Sequence, residues 1–258
     1  MKRLPLTFAC EGCTLGATLD TAPGAAGLLL VSGGNEIRAG AFSGQAALAE
    51  RVARRGFPVF RFDRRGIGDS EGENRGFRKS RKDIVAALDA FRALAPQMNR
   101  VVGFGNCDAA SALMLAGGAG CDALVLSNPW TIEDGDDGTP PPDAIRSRYA
   151  EKLKNPKEIA RLVTGGVNLG KLARGIAKAA RPKSAPNSLA QEMATGLDSF
   201  EGPVRILLAE ADRTAQTFAS AWDASDPRIH RCANATHAYV EPPARDWLYD
   251  QILTALRN

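Results

Sequence analysis

The chain has 258 residues, 44% of them hydrophobic and 24% charged, with a formal net charge of +4. That balance excludes a mainly disordered chain or a coiled coil and fits a globular protein with a sizeable core. The charge is too small to imply nucleic acid as a partner, and aromatic residues make up only 6% of the chain. No apolar run approaches the roughly 20 residues that span a bilayer. The start, Met1-Lys2-Arg3-Leu4-Pro5, has no unbroken apolar stretch of the kind a signal peptide needs, so a cytoplasmic protein is expected.

In chain order, the first feature is the CxxC of Cys10 and Cys13, read as the two sides of a hairpin turn at Glu11-Gly12. Five scattered cysteines argue against a disulfide framework, and two histidines in the whole chain leave too few ligands for a zinc site. Neither a metal nor a cofactor is expected. Five short apolar runs follow: Gly27–Ser32, Val59–Asp63, Arg100–Phe104, Ala123–Ser127 and Val204–Ala209. Apolar without strict alternation, they suit strands covered on both faces. Helical patterns lie between them at Gln45–Arg55, Arg81–Leu94 and Asp108–Ala116, and Pro243–Leu256 closes the chain. Arg228–Cys232 reads as a last strand. Strand and helix in alternation predict an α/β fold with a mostly parallel central sheet flanked by helices.

About 75 residues without a clear strand separate Ser127 from Val204, too many for a plain loop. The expected organisation is therefore a core of residues 1–128 and 203–258, interrupted by a helical lid over 129–202. The lid opens with the acidic residues Glu133, Asp134, Asp136 and Asp137. From Ala144 to Gln191 it then carries eleven Lys and Arg against two Glu, a net +9. Leu169, Leu172, Ala173 and Ile176 share one helical face there, with Lys171, Arg174 and Lys178 elsewhere.

The sharpest signal is the run Arg100–Ser111, in which an apolar strand meets Gly105-Asn106-Cys107-Asp108-Ala109 and small helix formers follow. This is the strand–turn–helix context of a nucleophile elbow, with Cys107 as nucleophile and Ala109 where a glycine is usual. Small neighbours are needed because the turn forces the nucleophile into a strained backbone. The dipole of the following helix lowers a thiol pKa. A buried cysteine after a strand gives the same short pattern, so the partners matter. An oxyanion hole needs the N–H after the nucleophile, Asp108, and one from the loop after an earlier strand, where Gly33-Gly34-Asn35 points to Asn35. Gly34 and Arg38 of that loop, with Lys171 and Arg174 of the lid, are the candidate substrate contacts. The acid follows a late strand and the histidine comes last, which selects Asp212 and His237 over His230.

With these residues in view, the sequence resembles the α/β-hydrolase superfamily along nearly its whole length. Asp63-Arg64-Arg65-Gly66-Ile67-Gly68-Asp69-Ser70 is similar to the D-x-R-G-x-G-x-S stretch of many members. Gly33–Gly40 (GGNEIRAG), the CDAAS around Cys107 and EADRTAQTF after the late strand most resemble the exosortase-A-system-associated hydrolase 1 group. The resemblance implies a Cys107–His237–Asp212 triad and a link to bacterial exopolysaccharide gene clusters. Some relatives place the acid after the preceding strand, where this chain has Asp134.

The expected activity is hydrolysis of an ester or thioester through a thioester acyl-enzyme. Acyl transfer to a carbohydrate or other acceptor uses the same chemistry, and a non-catalytic binding module on the same fold is the reading from another class. The partner is a small-molecule acyl ester or thioester. It is anionic if the basic lid contacts substrate. The same charges also suit a solvated face or a transient contact with an anionic membrane. Stacking aromatics do not accompany them, so nucleic acid is not expected. Oligomeric state is not legible in the sequence.

Overall fold

The computed structural model describes residues 1–132 and 188–258. Asp134, Lys171, Arg174, Lys178 and the amphipathic run Leu169–Ile176 lie outside the described residues. Eight strands, β1 (Arg3–Cys10), β2 (Cys13–Asp20), β3 (Ala26–Val31), β4 (Val59–Phe62), β5 (Arg100–Asn106), β6 (Ala123–Ser127), β7 (Val204–Ala209) and β8 (Ile229–Cys232), form one sheet. Its order is β1-β2-β4-β3-β5-β6-β7-β8. The strands from β4 to β8 across the sheet are parallel, and β2 runs antiparallel to both of its neighbours.

Each central strand is buried on both faces, and alternate residues feed two separate cores. Leu29, Val31, Phe60, Phe62, Leu124, Leu126, Ile206 and Leu208 belong to one core, which α2 (Arg81–Leu94), α3 (Asp108–Leu115), α4 (Ser188–Asp198) and α5 (Arg213–Ala221) cover. Leu28, Leu30, Val102, Phe104, Val125 and Leu207 face α1 (Gly44–Arg54) and α6 (Pro242–Arg257). This two-sided cover explains why the strands read as continuous apolar runs rather than alternating ones. At about 25 cal/mol per Å² of apolar surface removed from water, these two cores dominate the stability of the chain.

The N-terminal hairpin is longer than its sequence pattern suggests. Glu11 (φ 47°) and Gly12 (φ 81°) are both left-handed, the geometry of a tight turn that matches strand twist, and Cys10 pairs with Cys13 across it. β1 is an edge strand, mostly exposed and carrying Pro5, so it has no apolar run to announce it. All five cysteines are free.

Residues 188–202, inside the span expected to be lid, pack as part of the core. Leu189, Met193 and Leu197 of α4 are buried in the first core beside Leu113 and Met114 of α3. Gly196 faces the Met114 carbonyl so closely that any Cβ there would collide with it.

The chain reverses its direction of travel at β3. The connection after β3 leads outward to β4, and the next returns to β5 on the other side. The carboxyl ends of β3 and β5 therefore diverge in a crevice, the usual ligand position in open α/β sheets. Gly33-Gly34 and Cys107 lie at those two ends.

Candidate active site

Cys107 stands between the end of β5 and the start of α3 with φ 63° and ψ −129°. A non-glycine residue held there costs of the order of 1–3 kcal/mol, which the surrounding packing must offset. The Cys107 N–H donates to the Ser127 carbonyl at 2.9 Å, and its own carbonyl accepts from the Ala110 and Ser111 amides at 3.1 and 3.3 Å. The small neighbours have a steric cause. A Cβ at Gly105 would come within 2.6 Å of the Ala109 backbone carbon. Ala109, where glycine is usual, is fully buried in the core without breaking the turn.

Asp212 caps α5, its carboxylate accepting the Ala215 amide at 3.1 Å. The same oxygen, Oδ2, lies 2.8 Å from His237 Nδ1. The hydrogen bond to Asp212 first, and then the neighbouring Cys107 side chain, push the His237 pKa up to about 10. The structure thus bonds His237 to Asp212, with the Cys107 side chain in the neighbourhood of the same imidazole. His230 lies on β8, where burial and then the charge of Arg205 pull its pKa down.

The loop that carries His237 is held by residues the sequence reading did not single out. Asn106 Nδ2 and Asn128 Nδ2 both donate to the His237 carbonyl, at 3.2 and 3.3 Å. Asn128 Nδ2 also donates to Asn106 Oδ1 at 3.0 Å, and its own oxygen accepts the Ala209 amide at 2.8 Å. Ser127 Oγ lies 3.0 Å from the Tyr239 hydroxyl, whose pKa burial pushes up. On the exposed side, Thr236 Oγ1 donates to Glu241 at 2.7 Å. An asparagine directly after a core strand, as Asn128 is after β6, was the signal available.

The loop after β3 meets the elbow through Gly34. The Gly34 N–H donates to Asp108 Oδ1 at 2.6 Å, and a Cβ at Gly33 would come within 2.7 Å of that same oxygen. Arg64, almost fully buried, donates to the Gly34 carbonyl and lies 3.5 Å from Asp108 Oδ2, balancing its charge. Asn35 makes its described contact through its side chain, which accepts from Asn74 at 2.9 Å. Arg38 turns away to Asp63, Asp69 and Thr18. Of the expected loop residues, Gly34 is therefore the one tied to the elbow.

Residues 28–250 match the model of a family described as the alpha/beta hydrolase family. No curated protein matches the chain. Among solved structures, the alpha/beta hydrolase GrgF from Penicillium sp. sh18 superposes with a TM-score of 0.67 at 15% identity, over 100% of both chains. An esterase of Pyrococcus furiosus gives 0.64 at 13% identity, over 99% of this chain and 90% of that one. The esterase Est1E of Butyrivibrio proteoclasticus, solved with ferulic acid bound, gives 0.59 at 14% identity, over 98% of this chain and 100% of that one. At such identities these likenesses establish the fold.

Proposed function

The chain belongs to the alpha/beta hydrolase family, and from that premise we propose that it hydrolyses an ester or thioester with Cys107 as nucleophile, His237 as acid–base and Asp212 as its orienting acid. The observation that carries this reading is the His237–Asp212 hydrogen bond, with Cys107 at the strained turn between β5 and α3 and its side chain acting on the same imidazole.

In the proposed reaction His237 takes the Cys107 proton and the thiolate attacks the acyl carbonyl, forming a C–S bond. Negative charge moves to the carbonyl oxygen, where the Asp108 N–H and a loop amide receive it. That loop amide is Asn35 N–H, with Gly34 N–H as the neighbour already bound to the Asp108 side chain. The intermediate collapses, and His237 passes its proton to the departing oxygen or sulfur. Water, deprotonated by His237, then attacks the thioester carbonyl; the C–S bond breaks as His237 returns that proton to the Cys107 sulfur, and the acid product leaves and ionises. Asp212 holds Nδ1–H so that Nε2 faces the thiol, and it stabilises the imidazolium.

An anionic acyl ester or thioester is the substrate class of this proposal, supported by the +9 balance of residues 144–191 with Lys171 and Arg174 as contacts. Placement in the exosortase-A-system-associated hydrolase 1 group, in a cytoplasmic setting, belongs to the same proposal and rests on GGNEIRAG, CDAAS and EADRTAQTF. A panel of acyl esters and acyl-CoA thioesters of several chain lengths tests the function, with alcohol or thiol release as readout. Iodoacetamide labelling read out by peptide mass tests the nucleophile. Labelling at Cys107 no faster than at Cys121 or Cys232 overturns the assignment.

A further inference from the structure

The oxyanion hole of the proposed reaction needs two backbone N–H groups held in register across the crevice. Asp108 N–H lies in the first turn of α3, where the helix fixes it. Asn35 N–H belongs to a loop, and a loop amide keeps its direction only if something holds its peptide plane. Among the described residues, Asn35 N–H has no hydrogen-bond partner, which leaves it free to receive an oxyanion.

The hold on that plane comes from Arg64. Its Nη2 donates to the Gly34 carbonyl and lies 3.5 Å from Asp108 Oδ2. Gly34 C=O and Asn35 N–H belong to one planar trans peptide unit, so the two groups point in opposite directions. A bond that fixes the carbonyl therefore fixes the N–H. The preceding peptide is held as well, by the Gly34 N–H on Asp108 Oδ1 at 2.6 Å. Glu36 N–H closes the turn on the Gly33 carbonyl at 3.0 Å, with Gly34 in the left-handed region at φ 55°.

This placement of Arg64 is costly. Arg64 is 4% exposed, and its Nη1 is buried without a hydrogen-bond partner. Taking a guanidinium out of water is expensive, and an apolar side chain of similar volume would pack there without that penalty. Among the described residues, the hydrogen bond and ion pair of its side chain go to the two sides of the oxyanion hole. Arg65, next in the chain, bonds Asp83 and Glu11 instead.

We infer that Arg64 is the positioning residue of the oxyanion hole: through the Gly34 carbonyl it aims the Asn35 N–H, and through Asp108 it ties that loop to the helix carrying the other N–H. The inference rests on the reaction proposed at Cys107 and names the residue that sets its oxyanion geometry. Arg64 acts through the loop and not on substrate. Its charge also offsets the Asp108 carboxylate, which would otherwise oppose negative charge developing beside it.

Turnover of an acyl ester by Arg64→Met, measured beside iodoacetamide labelling of Cys107, tests it. Losing one oxyanion donor costs about 10²–10³ in kcat, so Arg64→Met should lower kcat by about 10² with KM little changed. Arg64→Lys, which can still donate to the Gly34 carbonyl, should recover part of the loss. Alkylation displaces iodide and develops no oxyanion, so the labelling rate at Cys107 should stay at the wild-type value. Amide hydrogen exchange over residues 33–36 should quicken in Arg64→Met, a readout that needs no substrate. Should Arg64→Met not fold, Asp108 carries the test: Asp108→Ala should lose more kcat than Asp108→Asn, whose oxygen still accepts the Gly34 N–H. Wild-type kcat in Arg64→Met, labelling that falls in step with kcat, unchanged exchange, or equal losses in the two Asp108 variants overturns the inference. Turnover that survives Cys107→Ala instead overturns the reaction itself, and this inference with it.

Discussion

His237 Nδ1 and Asp212 Oδ2 lie 2.8 Å apart, and that oxygen also accepts the amide of Ala215 in the first turn of α5. One carboxylate oxygen thus caps a helix and orients an imidazole. The helix fixes the carboxylate rotamer, and the carboxylate fixes the ring, so the direction of Nε2 is set by secondary structure rather than by the loop alone.

Cys107→Ala should abolish ester or thioester turnover while unfolding near the wild-type temperature, because the side chain sits at a turn and not in either core. Cys107→Ser should keep a trace of activity at best, since a hydroxyl needs fuller activation than a thiol. Cys107→Gly should unfold at a higher temperature than Cys107→Ala, because glycine relieves the φ of 63°. Full activity in Cys107→Ala removes the nucleophile assignment.

Asp212→Asn should lower kcat by about 10³–10⁴ with little change in KM, the size expected when an imidazole loses its tautomer control. With Asp212 in place, the imidazolium that protonates the leaving group persists to about pH 10, so kcat/KM should fall on an alkaline limb near there. In Asp212→Asn that limb should move down toward the ordinary histidine range. A limb that stays in place assigns the titration to another group.

Stability should follow the same pairing. The folded pKa of His237 is raised above its ordinary value of 6.5, so the folded state holds the proton more tightly than the unfolded chain. The stabilisation is fully present below pH 6.5 and is lost as pH rises toward 10. Guanidinium unfolding midpoints of wild type and Asp212→Asn should therefore differ more at pH 6 than at pH 10. The Ala215 cap contributes equally at both.

Asn128→Ala should be costly because three partners lose their bonds at once. Asn128 is fully buried and holds Ala209 N–H, Asn106 Oδ1 and the His237 carbonyl. Leaving the Ala209 amide unsatisfied alone costs roughly 1–3 kcal/mol. Thermal unfolding should drop by several degrees, and kcat should fall more than KM rises as the His237 loop loosens. A stable Asn128→Ala with wild-type kcat assigns that network no part in positioning.

The basic residues of the 144–191 segment make a salt prediction. If they draw in an anionic substrate, kcat/KM for an acyl-CoA should fall steeply between low and physiological salt, where screening shortens to about 8 Å. A small neutral ester should hardly respond. Replacing Lys171, Arg174 and Lys178 with glutamate should flatten the first curve and leave the second alone. Equal salt sensitivity for both substrates makes the charges a solvated surface.

Much of this protein is written locally. Runs such as Leu28–Val31 and Ala123–Leu126 name the core strands, because burial on both faces demands unbroken apolar sequence. The small residues Gly105 and Ala109 name the elbow, because a Cβ at Gly105 would strike the Ala109 backbone. Asp212 and His237 stand out by their order along the chain and by the rarity of histidine. The edge strand Arg3–Cys10 leaves no such mark because it buries little, and α4 reads as part of the insertion because its burial depends on Met114, which Gly196 meets from 82 residues further along the chain. The engagement of Gly34 by Asp108, the turning away of Arg38 to Asp63 and the grip of Asn106 and Asn128 on the His237 carbonyl were decided by the tertiary structure. Each of these bonds joins residues 25 to 131 positions apart. Local periodicity reports which face of an element is buried, and it carries no record of which polar groups the completed sheet brings within hydrogen-bonding distance.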